Sequence, residues 1–388
     1  MLSPFIVEQH QESKNLFLER FPANQVNRSL QAWDAADEYL CNYIVQEQLV
    51  SLGSNGQLPH LLIYNDSFGA LAANFKDYRV SSVTDSYISE QGLAHNFDLN
   101  HLSKDNITLL TSLDSIPDDA TLVLYKIPKN KALLIEQLIT IKNTVSQNVI
   151  FIAADKAKNI QKSTLALFEK YLGTTTTSLA VKKARLVFCQ LNNQLKHQLP
   201  SPTSWSVTSP NLQLFNLANV FAREKLDIGA RHFIQNLGDV KQHKRIIDLG
   251  CGNGIVGLSI LAQHPQAHIT FVDESYMAVA SAKMNVEKNF PELVAQCQFI
   301  TNDCLNDFDG SSVDAVFCNP PFHQQNAVTD HIAWQMFKDS YKVLNRNGEL
   351  RIVGNRQLGY HIKMKRLFGN NTLIASDNKF VTLSSIKK

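Results

Sequence analysis

The residues best placed to do chemistry are Asn319-Pro320-Pro321-Phe322, read together with Asp248-Leu249-Gly250-Cys251-Gly252-Asn253-Gly254 upstream. Successive prolines fix the backbone and remove two donors. They would hold the asparagine at the end of the apolar run Asp314–Cys318, with its side-chain amide and the neighbouring carbonyls turned outward. An amide oxygen and a carbonyl oxygen are acceptors, and a pair of them suits the two hydrogens of a planar NH2 group. In the glycine stretch, Arg245-Ile246-Ile247 leads in as a short strand and an apolar helical pattern runs from Ile255 to Ala262. That predicts strand, tight turn, helix. Glycine lets such a turn bend sharply and lets a ligand lie against it. The same glycines would serve a plain strand–helix turn. Gly252-Asn253-Gly254-Ile255-Val256-Gly257 also fits the dinucleotide fingerprint, so the glycines alone do not choose a cofactor.

Phe271-Val272-Asp273 closes the next apolar strand, with Asp273 nineteen residues after Gly254. An acidic residue there suits a ribose with both hydroxyls, which fits NAD or S-adenosylmethionine. Hydride transfer has no use for the asparagine–proline arrangement; methylation of an amine does. Asp-x-Gly-x-Gly-x-Gly plus Asn-Pro-Pro-Phe resembles the class I S-adenosylmethionine-dependent methyltransferases that act on planar NH2 groups. More closely, the chain is similar to the ribosomal RNA guanine-N2 methyltransferases of the small and large subunits. Its length, the stretch Leu30–Asp37 and the continuation Phe322-His323-Gln324-Gln325 look most like the large-subunit (23S) members, and the likeness covers nearly the whole chain.

The resemblance implies S-adenosylmethionine as cofactor, bound against Gly250, Gly252 and Gly254. Phe221, Asp227 and Gly229 would close over its methionine end. Asp248 would hold the amino group, Asp273 the ribose and Asp303 the adenine amine. Asn319 and the Pro320 carbonyl would accept the guanine amine's hydrogens beside Pro321, and Phe322 would stack on a base taken out of its helix. Read without the resemblance, Asp227 serves equally as the N-cap of a helix over 228–237. Asp303 reads as a loop aspartate and Phe322 as a core phenylalanine after a turn. Open alternatives are small-subunit RNA, a protein glutamine amide, adenine N6, and a non-enzymatic RNA-binding or chaperone module.

These residues need a scaffold. Strands are expected near 245–249, 268–273, 297–301, 313–318 and 348–354, and helices near 255–263, 276–289, 330–344 and 359–368. This alternation predicts a doubly wound parallel sheet, with an antiparallel hairpin from 371–376 and 379–385 at one side. The first half repeats the pattern. Leu61–Ala70 takes the place of Ile246–Gly254, and Val83–Tyr87 that of Val272–Tyr276. Leu122–Pro128 matches Ala315–Pro321, and Ile150–Ala154 matches Leu350–Gly354. The fold expected is therefore α/β, two tandem class I Rossmann-like methyltransferase domains. The first, 1–190, is degenerate, with one turn glycine left and Lys126 where the second copy has Asn319. A linker over 191–204 is rich in Asn, Gln, Ser and Pro. The catalytic domain is 205–388, beginning with a small hairpin around Ser209-Pro210-Asn211.

The net charge of +2 hides a strong pattern. Residues 1–125 carry 6 basic and 16 acidic side chains, and 126–185 carry 11 and 3. Residues 186–318 carry 9 and 12, and 319–388 carry 11 and 4. The first basic stretch, with Lys126, Lys129, Lys131, Lys156, Lys158, Lys162, Lys182, Lys183 and Arg185, is the candidate RNA surface; a merely solvated face has the same composition. The six cysteines include no Cys-x-x-Cys pair, so no metal is expected. Cys251 and Cys318 read as small residues in tight places rather than nucleophiles. No apolar run reaches a membrane span and the polar N-terminus is no signal peptide, so a cytoplasmic protein without membrane partners is expected.

Overall fold

The apolar runs of the second half pair into one seven-stranded sheet. In the computed structural model, which describes residues 5–8, 13–22, 30–50, 58–321 and 327–388, its order is Cys297–Thr301, His268–Asp273, Arg245–Leu249, Val313–Cys318, Leu344–Asn355, Phe380–Ile386, Thr372–Ser376. The first five strands are parallel and the last two run antiparallel at one side, as expected. Helices Ile255–Gln263, Tyr276–Asn289, Ala327–Val343 and Tyr360–Phe368 lie between them in the chain. Side chains alternate across the sheet. Ile246, Phe271, Ala315 and Phe317 enter one core, while Ile247, Leu249, Val272, Val316 and Cys318 enter another. Burial on both faces is why these strands read as continuous apolar runs. The connections run outward in opposite directions from Arg245–Leu249 and Val313–Cys318. The crevice beyond their carboxyl ends is where such a sheet takes a ligand.

The first half builds the same sheet: Ile107–Thr111, Arg79–Thr84, His60–Tyr64, Leu122–Lys126, Ile150–Lys156, Ala184–Leu191, Gly173–Thr177. The chain thus packs as two units, Met1–Pro200 and Ser201–Lys388, each opening with a hairpin. The equivalence reaches single hydrogen bonds. The N–H of Asn65 donates to the Val83 carbonyl at 3.0 Å as that of Gly250 does to Val272 at 2.8 Å. Gly69 and Gly254 cap the following helices with φ of 79° and 80°. Ser86 and Ser275 accept at the next helix start from the N–H groups of Ser89 and Ala278.

Two asparagine clamps also recur. Asn285 hydrogen-bonds both backbone groups of Phe215 and donates to the Asn253 carbonyl. Asn96 does the same for Glu19 and the Phe68 carbonyl. One helical turn on, Asn289 holds Gln213 and Asn100 holds Phe17. Each clamp ties the unit's opening hairpin segment to the helix after its second strand.

One register differs from the sequence reading. Tyr125 pairs with Ala153 and Cys318 with Ile352, so Ala153, not Ile152, corresponds to Ile352. The match of Ile150–Ala154 to Leu350–Gly354 was one residue out. Phe151, Ile152, Ala153 and Ala154 are all buried, as are Leu350–Val353. With both faces apolar, alternation carries no register information.

Candidate functional site

Gly250, Gly252 and Gly254 form the turn after the first strand of the second unit, with φ of 70°, 53° and 80°. A side chain in that region strains the backbone by about 1–2 kcal/mol. A Cβ placed on Gly252 would meet no atom within 4 Å, so the turn borders open space. Its N–H donates to Asp273 Oδ2 at 2.9 Å, and Asp273 Oδ1 accepts from the Ser275 N–H at 3.1 Å. The ribose candidate is therefore held rigidly at its strand end by backbone donors. Asn253 braces the turn from behind, donating to Asn216 Oδ1 at 2.8 Å and held by Asn285. Sequence reading missed Asn216, Asn253 and Asn285. The asparagines spaced four apart in matching helices of both copies were the available signal.

Asp248 is 2% exposed and accepts from the Gly257 N–H at 2.8 Å. Burial, only partly offset by that bond, pushes its carboxyl up to about 8. It fixes the helix start as well as offering an acid beneath the turn. Asp227 caps helix Ile228–Ile234, accepting from the Ala230 N–H at 2.9 Å. Gly229 is buried within that helix, and Phe221 lies exposed before it. Asp303 is buried after the third strand and accepts from Gln335 Nε2 at 3.0 Å. Burial raises its carboxyl above the usual range.

Asn319 follows Cys318, which pairs with Leu249 in the ladder, so Asn319 and Gly250 leave adjacent strands side by side. A Cβ on Gly250 would lie 4.0 Å from the Asn319 carbonyl oxygen. The side-chain oxygen of Asn319 is buried and has no hydrogen-bond partner among the described residues. Leaving a buried acceptor unsatisfied costs about 1–3 kcal/mol. Such an orphan at a strand end is an acceptor awaiting a donor. Pro320 is buried and Pro321 half-buried beside it. Phe322 lies outside the described residues. Cys251 and Cys318 are buried with thiols pushed well up by burial, which leaves them inert. Among the described residues no cluster of potential metal ligands occurs, and no helix is long and apolar enough to cross a membrane.

The same place in the first unit is filled. Asn65, at the position of Gly250, exchanges hydrogen bonds with Gln137 and donates to the Lys126 carbonyl. Lys126, at the position of Asn319, sends its ammonium to Asp34 Oδ1 at 2.9 Å and Asp37 Oδ1 at 2.7 Å. Thr84 stands where Asp273 is and keeps only the bond to the Ser86 N–H. Burial alone would lower the Lys126 pKa, but the two aspartates raise it. This corrects one expectation: Lys126 is not available to a phosphate, because its charge is consumed internally. Arg185 is half-buried in its strand, with Nε unpartnered among the described residues. Lys129, Lys131, Lys156, Lys158, Lys162, Lys182 and Lys183 are exposed. Lys182 reaches Glu38 at 3.0 Å, and Lys156 lies 3.9 Å from Asp34.

Residues 7–193 match the family model described as RLMG N-terminal domain, and 211–384 match the methyltransferase small domain. A ribosomal RNA large subunit methyltransferase G from Colwellia psychrerythraea is 57% identical, covering 100% of both chains. Its namesake from Pseudoalteromonas atlantica is 51% identical over 95% of this chain and 96% of its own. That from Aeromonas hydrophila is 49% identical over 96% and 97%. Among solved structures, the T. thermophilus 16S rRNA N2 G1207 methyltransferase in complex with AdoMet and guanosine superposes with a TM-score of 0.76. It is 17% identical and covers 99% of this chain and 97% of its own. At that identity it speaks for the fold, which both units share along their whole length.

Proposed function

The chain belongs to the ribosomal RNA large subunit methyltransferase G family, and from that premise we propose that its second unit methylates the exocyclic N2 amine of one guanine in 23S ribosomal RNA, with S-adenosylmethionine as donor. The observation that carries this reading is the buried Asn319 side-chain oxygen beside the glycine turn, without a hydrogen-bond partner among the described residues.

The residues fit the donor. Open space borders Gly252, Asp273 is fixed where a ribose diol would be gripped, and buried carboxylates at Asp248 and Asp303 suit a cationic, amino-bearing nucleoside. Gly250 and Gly254 shape the same wall, and Phe221, Asp227 and Gly229 stand in the segment assigned to the methionine end. Bound S-adenosylmethionine supplies an electrophilic methyl group on a sulfonium. The guanine amine is a weak nucleophile because its lone pair is delocalised into the ring. Asn319 Oδ1 and the Pro320 carbonyl accept its two hydrogens, which favours the pyramidal nitrogen of the transition state. Pro320 and Pro321 keep those acceptors in place, so little reorganisation is left for the reaction step. Phe322 is assigned to stacking on the flipped base. The methylated nitrogen is strongly acidic, and its proton passes to solvent without a dedicated base.

We assign residues 205–388 to catalysis, 191–204 to the linker and 1–190 to RNA recognition through Lys129, Lys131, Lys156, Lys158, Lys182 and Lys183. The site of action is the cytoplasm, where the ribosomal RNA is. Labelled methyl transfer to naked 23S RNA, naked 16S RNA and a release factor tests the proposal. Transfer to 23S RNA alone, mapped to N2 of one guanine, is expected. Label on the release factor would overturn it.

A further inference from the structure

Helix Ala327–Val343 follows the segment that carries Asn319. Three of its residues, spaced to share a face, each meet a different part of the site. Met336 lies over the glycine turn, where its Cε would be 3.2 Å from a Cβ on Gly250, and its sulfur is 3.9 Å from Cys318 Sγ. Asp339 Oδ2 accepts from the Leu305 N–H at 3.4 Å. Gln335 Nε2 donates to Asp303 Oδ1 at 3.0 Å. Asp303 has shed its water, since it is 5% exposed. A carboxylate offers about four acceptor positions; the Gln335 amide occupies one and the neighbouring Cys304 thiol hydrogen-bonds the same carboxylate.

We propose that Gln335 is a positioning residue for cofactor recognition: its amide holds the Asp303 carboxylate in the one orientation that accepts the adenine 6-amino group. The inference rests on the reading that Asp303 receives that amine. A donor on one carboxylate oxygen restricts rotation and leaves the other oxygen for the ligand. Without it, only the Cys304 thiol still restrains the carboxylate, which is then freer to turn or take up a proton, and in both cases discrimination for the amine falls. Gln335 touches no reacting atom, so its loss falls on cofactor affinity and not on the methyl-transfer step.

The test uses the intact chain and two probes, S-adenosylhomocysteine and its analogue with hydrogen in place of the 6-amino group. Dissociation constants are measured by calorimetry. Gln335→Met keeps the side chain's shape and removes the donor. It is expected to raise the constant for S-adenosylhomocysteine about ten-fold, the scale of one hydrogen bond to a charged group, and to leave the analogue within about two-fold. KM for S-adenosylmethionine should rise at unchanged kcat. Gln335→Glu, which faces Asp303 with a second carboxylate, should weaken S-adenosylhomocysteine as well. Equal losses on both probes would mean a merely structural side chain and overturn the proposal, as would no loss on either. Asp303→Ala separates the two layers. If it erases the preference for the amino-bearing probe while Gln335→Met keeps it, Gln335 alone is excluded. If Asp303→Ala keeps the preference, the assignment of Asp303 to adenine falls and Gln335 falls with it.

Discussion

Single residues set the chemistry, and three of them can be tested apart from the fold. Asn319 presents a buried acceptor without a partner among the described residues. Asn319→Ala should leave cofactor affinity nearly intact while turnover falls roughly 10²-fold or more, as for loss of one transition-state hydrogen-bond partner. Single-turnover methyl transfer checks this, and a variant within a few-fold of the parent removes Asn319 from the mechanism. Gly252→Arg should abolish S-adenosylmethionine binding by calorimetry, since it fills the open side of the turn and strains a φ of 53°. Asp248 gives a pH signature. Its folded pKa of about 8 lies above that of an unfolded aspartate, near 4. The folded protein therefore binds the extra proton across that window, and stability falls as pH rises through it. A bound cation favours the ionised form, so affinity for S-adenosylmethionine should rise with pH up to about 8 and binding should release protons. Calorimetry in two buffers of different ionisation enthalpy reads that release; its absence would leave Asp248 as a turn residue only.

At the scale of elements, the two units keep one frame and differ at the strand ends. The asparagine clamps, the αL glycine cap and the serine caps are common to both. What changed is Gly250 to Asn65, Asp273 to Thr84 and Asn319 to Lys126, and the space is closed by Gln137, Asp34 and Asp37. Lys126→Met would leave the buried Asp37 without its ammonium partner and the half-exposed Asp34 without its nearest one, which is expected to destabilise the first unit by about 3 kcal/mol. Urea unfolding measures the loss, and calorimetry should show S-adenosylmethionine binding unchanged. The strands and helices of the second unit were legible as apolar runs closed by turn residues, although strand Leu344–Asn355 begins four residues before the expected 348 and helix Ile228–Ile234 ends three before the expected 237. The ladder register of Ile150–Lys156 was not, because both faces of that strand are apolar. Nor was the fate of Lys126 legible. A lysine at a strand end reads as a solvated charge until Asp34 and Asp37, far away in sequence, are seen to close on it. Asn319, to which the chemistry is assigned, was legible for the opposite reason, since two prolines leave it few conformations.

At the scale of the molecule, the two units are proposed to divide the labour. Residues 201–388 pack as one unit and contain every cofactor candidate, so expressed alone they should bind S-adenosylmethionine, and residues 1–200 should not. Equal binding by the first fragment would refute its degeneracy. The first unit keeps charge instead. Lys126 is internal, but Lys129 lies just past the end of strand Leu122–Lys126, and Lys156 and Lys158 at the end of strand Ile150–Lys156; all three are exposed. In a doubly wound sheet, residues just past parallel strand ends gather along one edge, and here that edge matches the one that carries the site in the second unit. Strand ends occupied by Asn65, Gln137 and Lys126 beside a basic rim suit a polyanion better than a small ligand. Each phosphate bound by a lysine releases counterions, so RNA binding should weaken steeply with salt. Changing Lys129, Lys156 and Lys158 to Glu should raise the dissociation constant for RNA. It should also flatten the salt slope by about one unit for each phosphate no longer neutralised. S-adenosylmethionine affinity should stay unchanged. Lys156 already lies near Asp34, so its share should be the smallest of the three. If the triple variant binds and methylates RNA like the parent at moderate salt, this rim is only a solvated face. The basic stretch around Lys363, Lys365 and Arg366, half-buried at the first and exposed at the other two, is then where the phosphates must be held.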